Sequence, residues 1–195
     1  MPAEFFALFC HQLPARSPAV GEQLFPVCYR CAGIQLGTFL AVLFLFVTRR
    51  WHSQMPRLKI SLGLAILLSS VWIDGVANTF GFWATPDAGR YLTGLLAGVC
   101  GPLLYIPLCS TKTSTAANSG NSSLQSTAEL AALIIAGLSF LFILQQTWAV
   151  PFWAVMSWMI AIGYVAWGAI ILRCCVTLWK LLFRKHASGA TETAP

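Results

Sequence analysis

The sequence predicts an all-α integral membrane protein, built as a bundle of about five transmembrane helices. Of its 195 residues, 57% are hydrophobic and only 9% are charged, and the mean hydropathy is +0.72. A soluble globular domain carries roughly 25% charged residues. In addition, the apolar residues fall into five runs, each about as long as a helix that crosses the hydrocarbon core.

The five runs predict spans at 30–48, 60–77, 91–109, 129–148 and 152–172. Residues 1–15 lack a basic stretch, and the first run ends without a small-residue cleavage site. We therefore expect the first run to stay in the membrane and not to be removed as a signal peptide. No internal repeat is evident in the sequence, which argues against an inverted-repeat transporter.

Lysines and arginines divide unevenly between the two sets of connecting segments. Nine lie on the side that includes the C-terminus, and the other three are Arg16, Arg30 and Arg90. By the positive-inside rule, the C-terminus is cytoplasmic and the N-terminus is outside. The net charge of +6 is then explained by orientation and by contact with the lipid bilayer, and we expect no nucleic-acid partner.

The chain divides into four predicted regions. Residues 1–108 carry the motifs and three spans, 109–128 form a linker, 129–173 hold two further spans, and 174–195 form a basic cytoplasmic tail. The linker is rich in Ser, Thr and Asn and has too little apolar surface to order itself, so we expect it to be flexible. The tail interleaves apolar and basic residues, which favours either a charge anchor or a continuation of the last helix along the inner surface.

A cysteine and histidine cluster lies just before the first span, with the spacing CH-x16-CxxC: Cys10, His11, Cys28 and Cys31. Thiolate and imidazole are the ligands that zinc prefers, so the spacing predicts a zinc site. Neighbouring side chains on a regular helix point about 100° apart. Cys10 and His11 can therefore share an ion only where the backbone is irregular, as Pro14 favours. Otherwise His11 is a proton carrier beside three cysteine ligands.

Two other interpretations of these cysteines stay open. Cys28 and Cys31 can cycle between dithiol and disulfide, with Arg30 favouring the thiolate, or a disulfide can tie the N-terminal segment to the first helix. The metal site is preferred because a redox pair needs neither a histidine nor a third cysteine. The remaining cysteines lack such a pattern and are interpreted as packing residues or cytoplasmic thiols: Cys100, Cys109, Cys174 and Cys175.

A second polar group lies near the outer ends of the second and third spans. Asp74 and Asn78 are one turn apart on the second span, and Arg90 opens the third. A carboxylate at membrane depth is costly, so Asp74 is a candidate functional residue. It acts as a catalytic proton acceptor, or it pairs with Arg90 and ties two helices together. Gly94 and Gly98 would let another helix approach closely.

Chain direction places the two polar groups together. The first span runs inward from Cys31, the second returns outward to Asp74, and the third starts inward again at Arg90. We therefore expect Asp74 and Arg90 to lie beside the cysteines, at the extracytoplasmic interface of the membrane.

Four segments, CHQLPARS, PVCYRCAGIQLG, IDGVAN and RYLTGLLAG, together resemble the motifs of a family of small prokaryotic membrane proteins, domain of unknown function 2085. The resemblance covers residues 8–108 and implies a multi-pass protein of a prokaryotic cytoplasmic membrane, but no activity. The matching residues are Cys10, His11, Arg16, Ser17, Cys28, Arg30, Cys31, Gly33, Gly37, Asp74, Gly75, Arg90, Thr93 and Gly94. Asn78 departs from the glutamine expected there, which shortens the reach of its carboxamide.

The leading functional hypothesis is a membrane-embedded metalloprotein, which as an enzyme would be a metal-dependent hydrolase or transferase. Three protein ligands would leave one zinc position for water, with Asp74 or His11 taking the proton. A full Cys3His set would instead make the metal structural. Guanidinium groups suit phosphate or carboxylate, so the predicted substrate-binding residues are Arg16, Ser17, Arg30, Asn78 and Arg90.

A lipid or lipid-linked substrate that enters from the bilayer would fit a site at this depth. Two other functions compete with the enzyme. One is a thiol–disulfide oxidoreductase that uses the CxxC. The other is a transporter or assembly partner with structural cysteines, which the scarcity of polar residues in the fourth and fifth spans disfavours.

Overall fold

The computed structural model describes residues 3–10, 12–20, 22–51, 53–109, 122–146 and 151–189. This part of the chain forms six α-helices: α1 Ala3–Ala7, α2 Tyr29–Val47, α3 Leu58–Thr79, α4 Asp87–Leu108, α5 Thr127–Leu144 and α6 Trp153–Gly189. Between α1 and α2 lie a 3₁₀ turn, Pro14–Arg16, and an antiparallel hairpin of β1 Ala19–Val20 and β2 Gln23–Leu24.

Five of these helices are long and apolar enough to cross a membrane, α2 to α5 over their full lengths and α6 over Trp153–Lys180. The prediction of an all-α bundle with five spans is therefore confirmed. The predicted limits of the first four spans differ by one to four residues, and the last span continues eight residues beyond its predicted end, to Lys180. The third span begins at Asp87, directly after Pro86, because proline is favoured just before or at the start of a helix. Which membrane face each end occupies stays a prediction.

The helix α4 lies at the centre of the bundle, and 72% of an apolar 18-residue stretch of this helix is buried. Its closest neighbour is α2, and glycines make the approach possible. A Cβ at Gly94 or Gly98 would clash with carbonyl oxygens of α2, and one at Gly37 would lie 2.8 Å from the Leu95 carbonyl oxygen. The predicted close approach at Gly94 and Gly98 is thus made to α2, where Gly33 also faces the backbone of α4. The first turns of α2 and α4 are held side by side.

The other spanning helices are buried less. α3 packs on α4 and buries Leu64, Asp74 and Ala77. In the corresponding apolar stretches of α5 and α6, only 17% and 22% are buried. Tyr91 of α4 donates a hydrogen bond to the Gly137 carbonyl of α5, at 2.7 Å. In a bilayer, the remaining apolar surface of these helices would face lipid.

At the end of the bundle that includes the α4 C-terminus, Cys109 and Cys174 form a disulfide with a Cα–Cα distance of 5.3 Å. The interpretation of these two residues as packing residues or cytoplasmic thiols is therefore wrong, since both are in the disulfide. They are 65 residues apart, and only the parallel course of α4 and α6 brings them together. Cys100 is buried and Cys175 is exposed, and both are free.

The predicted linker 109–128 is described only at its ends, since residues 110–121 lie outside the described part of the chain. Residues 125–128 are exposed, whereas two residues just before them are buried. Ser123 is buried and donates to the Leu103 carbonyl at 2.8 Å, and Leu124 is 1% exposed. The predicted tail beyond residue 173 continues α6 as far as Gly189.

Candidate functional site

The N-terminal segment folds back onto the start of α2. The Cys10 amide donates to the Phe6 carbonyl at 2.9 Å, which ends the first short helix. Gln12 has a φ of 47°, in the left-handed region, and its Nε2 donates to the Pro26 carbonyl at 2.9 Å. The backbone is thus irregular at the point where Cys10 and His11 would need it to be. His11 itself lies outside the described residues.

Three cysteine thiols meet at this fold. Cys28 is the N-cap residue of α2, and Cys31 lies in its first turn. The Sγ atoms of Cys10, Cys28 and Cys31, called the thiol cluster below, all lie within 4.8 Å of one another. Zinc–sulfur bonds of about 2.3 Å in a tetrahedron place sulfurs about 3.8 Å apart. Small side-chain movements would therefore suffice for the three thiols to bind one ion.

Hydrogen bonds within the thiol cluster shift its charge onto one sulfur. Thiol donors on Cys28 and Cys31 lower the pKa of Cys10, and the Cys28 amide also donates to Cys10 Sγ, at 3.3 Å. The pKa of Cys28 is raised, mainly because its proton is held by Cys10. The cluster thus favours one thiolate, and a bound cation would displace the remaining protons.

Arg30 lies between the two cysteines of the CxxC and forms an ion pair with Asp74 of α3. The predicted alternative, a pair between Asp74 and Arg90, is not the arrangement seen. Arg90 instead donates from Nη2 to the Asn78 side-chain oxygen, at 3.3 Å. Because α2 approaches α4 so closely, Arg30 can reach across to α3 and occupy the place that we expected Arg90 to take.

The Asp74 carboxylate accepts hydrogen bonds from four side chains. Arg30 and Thr93 donate to Oδ2, and Asn78 and Thr85 donate to Oδ1. Asp74 is 4% exposed, and an ionised carboxylate has about four acceptor positions. This arrangement suits a residue that positions Arg30. The role of Asp74 as a proton acceptor stays a prediction.

A cavity of about 340 Å³ opens over the thiol cluster. All three predicted anion-binding arginines, Arg16, Arg30 and Arg90, line it together with the three cysteines. The apolar part of its wall comes from Phe9 and Leu13. Its size falls within the range of small-molecule sites, about 300 to 1,000 Å³. One cavity therefore brings together the predicted metal ligands and the predicted anion-binding groups.

Two predicted substrate-binding residues are placed less directly. Ser17 is buried, and its hydroxyl donates to the Leu13 carbonyl at 3.1 Å, so it supports the wall of the cavity. Asn78 orients Arg90 and also donates to Thr85 Oγ1, at 2.6 Å. Both residues therefore act on the cavity through a neighbour.

Sequence reasoning missed two residues of this region. Thr85 contributes to the Asp74 network, and its only sequence signal was the Thr-Pro turn that precedes α4. Tyr164 of α6 stacks on Phe9 with ring centroids 4.7 Å apart, and its buried hydroxyl lies beside the thiol cluster, near Cys31. No sequence signal links it to cysteines more than 130 positions away.

Comparisons with known proteins cover the same part of the chain. A family model described as "Predicted membrane protein (DUF2085)" matches residues 10–106. An uncharacterized protein of Methanothermobacter thermautotrophicus is 35% identical over 95 residues, which is 48% of this chain and 81% of that protein. An uncharacterized protein of Methanocaldococcus jannaschii is 27% identical over 104 residues, which is 53% of this chain and 65% of that protein. No solved structure matches the chain.

Proposed function

Because the chain belongs to the DUF2085 family of predicted membrane proteins, whose description names no activity, we propose a function from the site itself. The protein is a membrane-embedded metalloprotein whose thiol cluster binds one zinc ion at the extracytoplasmic interface of the membrane. The observation that carries this proposal is the convergence of three Sγ atoms within 4.8 Å of one another.

Zinc suits this donor set because thiolates select zinc over the hard cations that prefer oxygen ligands. Cys10, Cys28 and Cys31 would supply three ligands. His11 would be the fourth ligand, or it would be a proton acceptor beside an open fourth position. In the second case, the zinc would act as a Lewis acid toward a substrate oxygen in the cavity.

The chain's own residues then favour an enzyme that acts on an anionic substrate, a hydrolase or a transferase. Arg30 and Arg90 face the cavity beside the thiol cluster and would orient the anion. Asp74 holds Arg30 in place through their ion pair. Phe9 and Leu13 cover one wall of the cavity and would limit the access of water.

We place the site on the outer face of a prokaryotic cytoplasmic membrane. The support for the face is the nine-to-three division of basic residues between the two ends of the predicted spans. The support for a prokaryotic source is that the relatives described above are archaeal. Both statements are part of the proposal, as is the choice of zinc.

Metal analysis combined with thiol counting tests this function. Wild-type protein, a Cys28→Ser/Cys31→Ser variant and a Cys175→Ser control are purified without chelator and checked for folding by thermal unfolding. We expect about one zinc per chain in the wild type and the control, and almost none in the double variant, because two of the ligands are gone. The control removes one free, exposed thiol outside the cluster.

Two results would contradict the proposal. Metal content that stays unchanged in a folded double variant would exclude the thiol cluster as the site. A Cys28–Cys31 disulfide in metal-free wild type, found by mass spectrometry under non-reducing conditions, would favour the thiol–disulfide oxidoreductase instead. A folded wild type with neither metal nor disulfide would leave the transporter or assembly partner as the remaining hypothesis.

A further inference from the structure

The cavity over the thiol cluster has an excess of positive charge. Three guanidinium groups line it, those of Arg16, Arg30 and Arg90. The structure gives only Arg30 a carboxylate partner, Asp74, within the described ranges. Arg90 is held by the neutral amide of Asn78. A ligand that completes this cavity should therefore carry negative charge.

Hydrogen-bond donors point to the same kind of ligand. The Nε atoms of Arg30 and Arg90 are both buried, and neither has a partner among the residues that the structure describes. A buried N–H without an acceptor is unfavourable, particularly at membrane depth, where water is scarce. Guanidinium groups match the spacing of phosphate oxygens and bind them with two parallel hydrogen bonds. Two such groups side by side fit a tetrahedral oxyanion.

Part of the cavity wall is apolar and exposed. Phe9 and Leu13 line the cavity, and they are 54% and 45% exposed. The adjacent Leu8 is 78% exposed. These side chains lie on the N-terminal segment, which contacts α6 through the stacking of Phe9 on Tyr164. A free inorganic ion needs no apolar wall, whereas a lipid carries acyl chains directly beside its phosphate.

We propose that this cavity binds the phosphate headgroup of an anionic lipid. Arg30 and Arg90 donate hydrogen bonds to the phosphate oxygens, and Phe9 and Leu13 contact the glycerol and upper acyl region. This inference rests on the proposed function only for the step after binding, in which the bound lipid would be the substrate of the metal site. Binding of the headgroup itself needs only the arginines and the apolar wall.

A binding experiment on the full chain in detergent tests the proposal. The probes are dihexanoyl phosphatidic acid, dihexanoyl phosphatidylcholine and inorganic phosphate, each titrated by calorimetry, with zinc measured on the same preparations. We expect phosphatidic acid to bind at least about tenfold more tightly than either other probe. Arg90→Gln should weaken its binding by about tenfold or more, which is the loss of one charge-assisted hydrogen bond.

Arg57→Gln is the matched control, since Arg57 is exposed and precedes α3 at the opposite end of the bundle. It removes the same charge and should change the affinity by less than about twofold. If Arg90→Gln does not fold, Arg90→Lys and Arg16→Gln replace it. Arg90→Lys keeps the charge but loses the planar fork, so it should still weaken binding.

Each remaining outcome has one meaning. Equal affinity for phosphatidic acid and inorganic phosphate would overturn the lipid assignment. An absence of binding in folded, zinc-loaded wild type would overturn this inference and leave the metal site intact. Phosphatidic acid binding by a metal-free wild type would support the inference while removing the proposed metal function. Equal weakening by Arg57→Gln and Arg90→Gln would show general charge attraction and no site.

Discussion

The two ends of the helix bundle carry cysteines and an ion pair in contrasting states. At one end, the three thiols of the cluster are free and face a cavity, with Arg30 and Asp74 beside them. At the opposite end, Cys109 and Cys174 are joined covalently. The cysteines of the thiol cluster therefore keep reactive thiols beside the cavity, whereas Cys109 and Cys174 have none, because both are in the disulfide.

The ion pairs show the same contrast. Arg50 donates from Nη1 to both carboxylate oxygens of Glu129, at 2.9 and 3.1 Å, and its guanidinium lies 5.5 Å from the Phe44 ring. At the cluster end, Arg30 and Arg90 each keep a buried Nε without a partner in the described structure. Buried polar groups without a partner are uncommon in proteins, and a bound ligand or ion is one of the features that explain them. The comparison supports the proposal of a binding end at the thiol cluster and a holding end at the disulfide, where Cys109 and Cys174 join the end of α4 to α6.

The largest effect that this comparison predicts is at Asp74. Asp74→Ala removes the carboxylate from an otherwise buried pair and leaves the Arg30 guanidinium unpaired. Removing one partner of a buried pair costs about 3 to 5 kcal/mol, and the Arg30 side chain is 26% exposed, so we expect the lower end of that range. Thermal unfolding in detergent measures the loss.

Turnover separates the two roles that Asp74 can play. If Asp74 only positions Arg30, Asp74→Asn should be less stable, and the folded variant should keep both its zinc and its activity. If Asp74 accepts a proton, the folded variant should keep its zinc and lose turnover once a substrate is known. If Asp74→Ala were as stable as the wild type, the Arg30–Asp74 pair would not stabilise the cluster end, and the contrast between the two ends would not hold.

The next effect lies at the disulfide end. Cys109→Ser/Cys174→Ser removes a cross-link between residues separated by 65 positions. Disulfides typically contribute about 2 to 4 kcal/mol by restricting the unfolded chain. Unfolded membrane helices stay restricted by the bilayer, so we expect about 2 kcal/mol. The Tm of the wild type should fall in dithiothreitol, and that of the variant should not.

This double variant should keep the zinc content of the wild type, because no cysteine of the thiol cluster is changed. Loss of metal from a folded variant would show that the two ends are not independent. A Tm that does not respond to dithiothreitol in either protein would show that the cross-link contributes nothing.

The sequence predicted what local patterns determine. Apolar runs are continuous, so five spans could be found, and only caps such as Pro86 moved the limits. The cysteines of the thiol cluster lie within 22 positions of one another in the sequence, and their spacing is typical of a metal site. Pro14 also favoured an irregular backbone near Cys10, and Gln12 has a positive φ of 47°.

Features that depend on helix packing could not be predicted in this way. The partner of Asp74 is Arg30 because Gly33 and Gly94 bring α2 against α4, and the pattern around Gly94 did not show which helix it meets. The disulfide and the position of Tyr164 both depend on where α6 lies. Composition alone gives no information about that position. The orientation of the bundle likewise rests on charge counts and stays a prediction.

The smallest effect is expected at Glu129. Glu129→Gln keeps a side-chain oxygen that can still accept the Gln125 amide, now at 2.8 Å, and it keeps the N-cap bond from the Glu129 amide to Ser126, at 3.3 Å. The charge opposite Arg50 is lost, together with one of the two hydrogen bonds that Arg50 Nη1 donates to the carboxylate. Side chains of this pair are 16% and 24% exposed, and partly exposed pairs contribute up to about 1 kcal/mol.

The matched substitution at the other end is Asp74→Asn, since both exchange a carboxylate for an amide. We expect Asp74→Asn to lower Tm clearly more than Glu129→Gln when both are measured in one detergent. Equal shifts would mean that the two ion pairs serve the same purpose, and the division between a binding end and a holding end would then be lost.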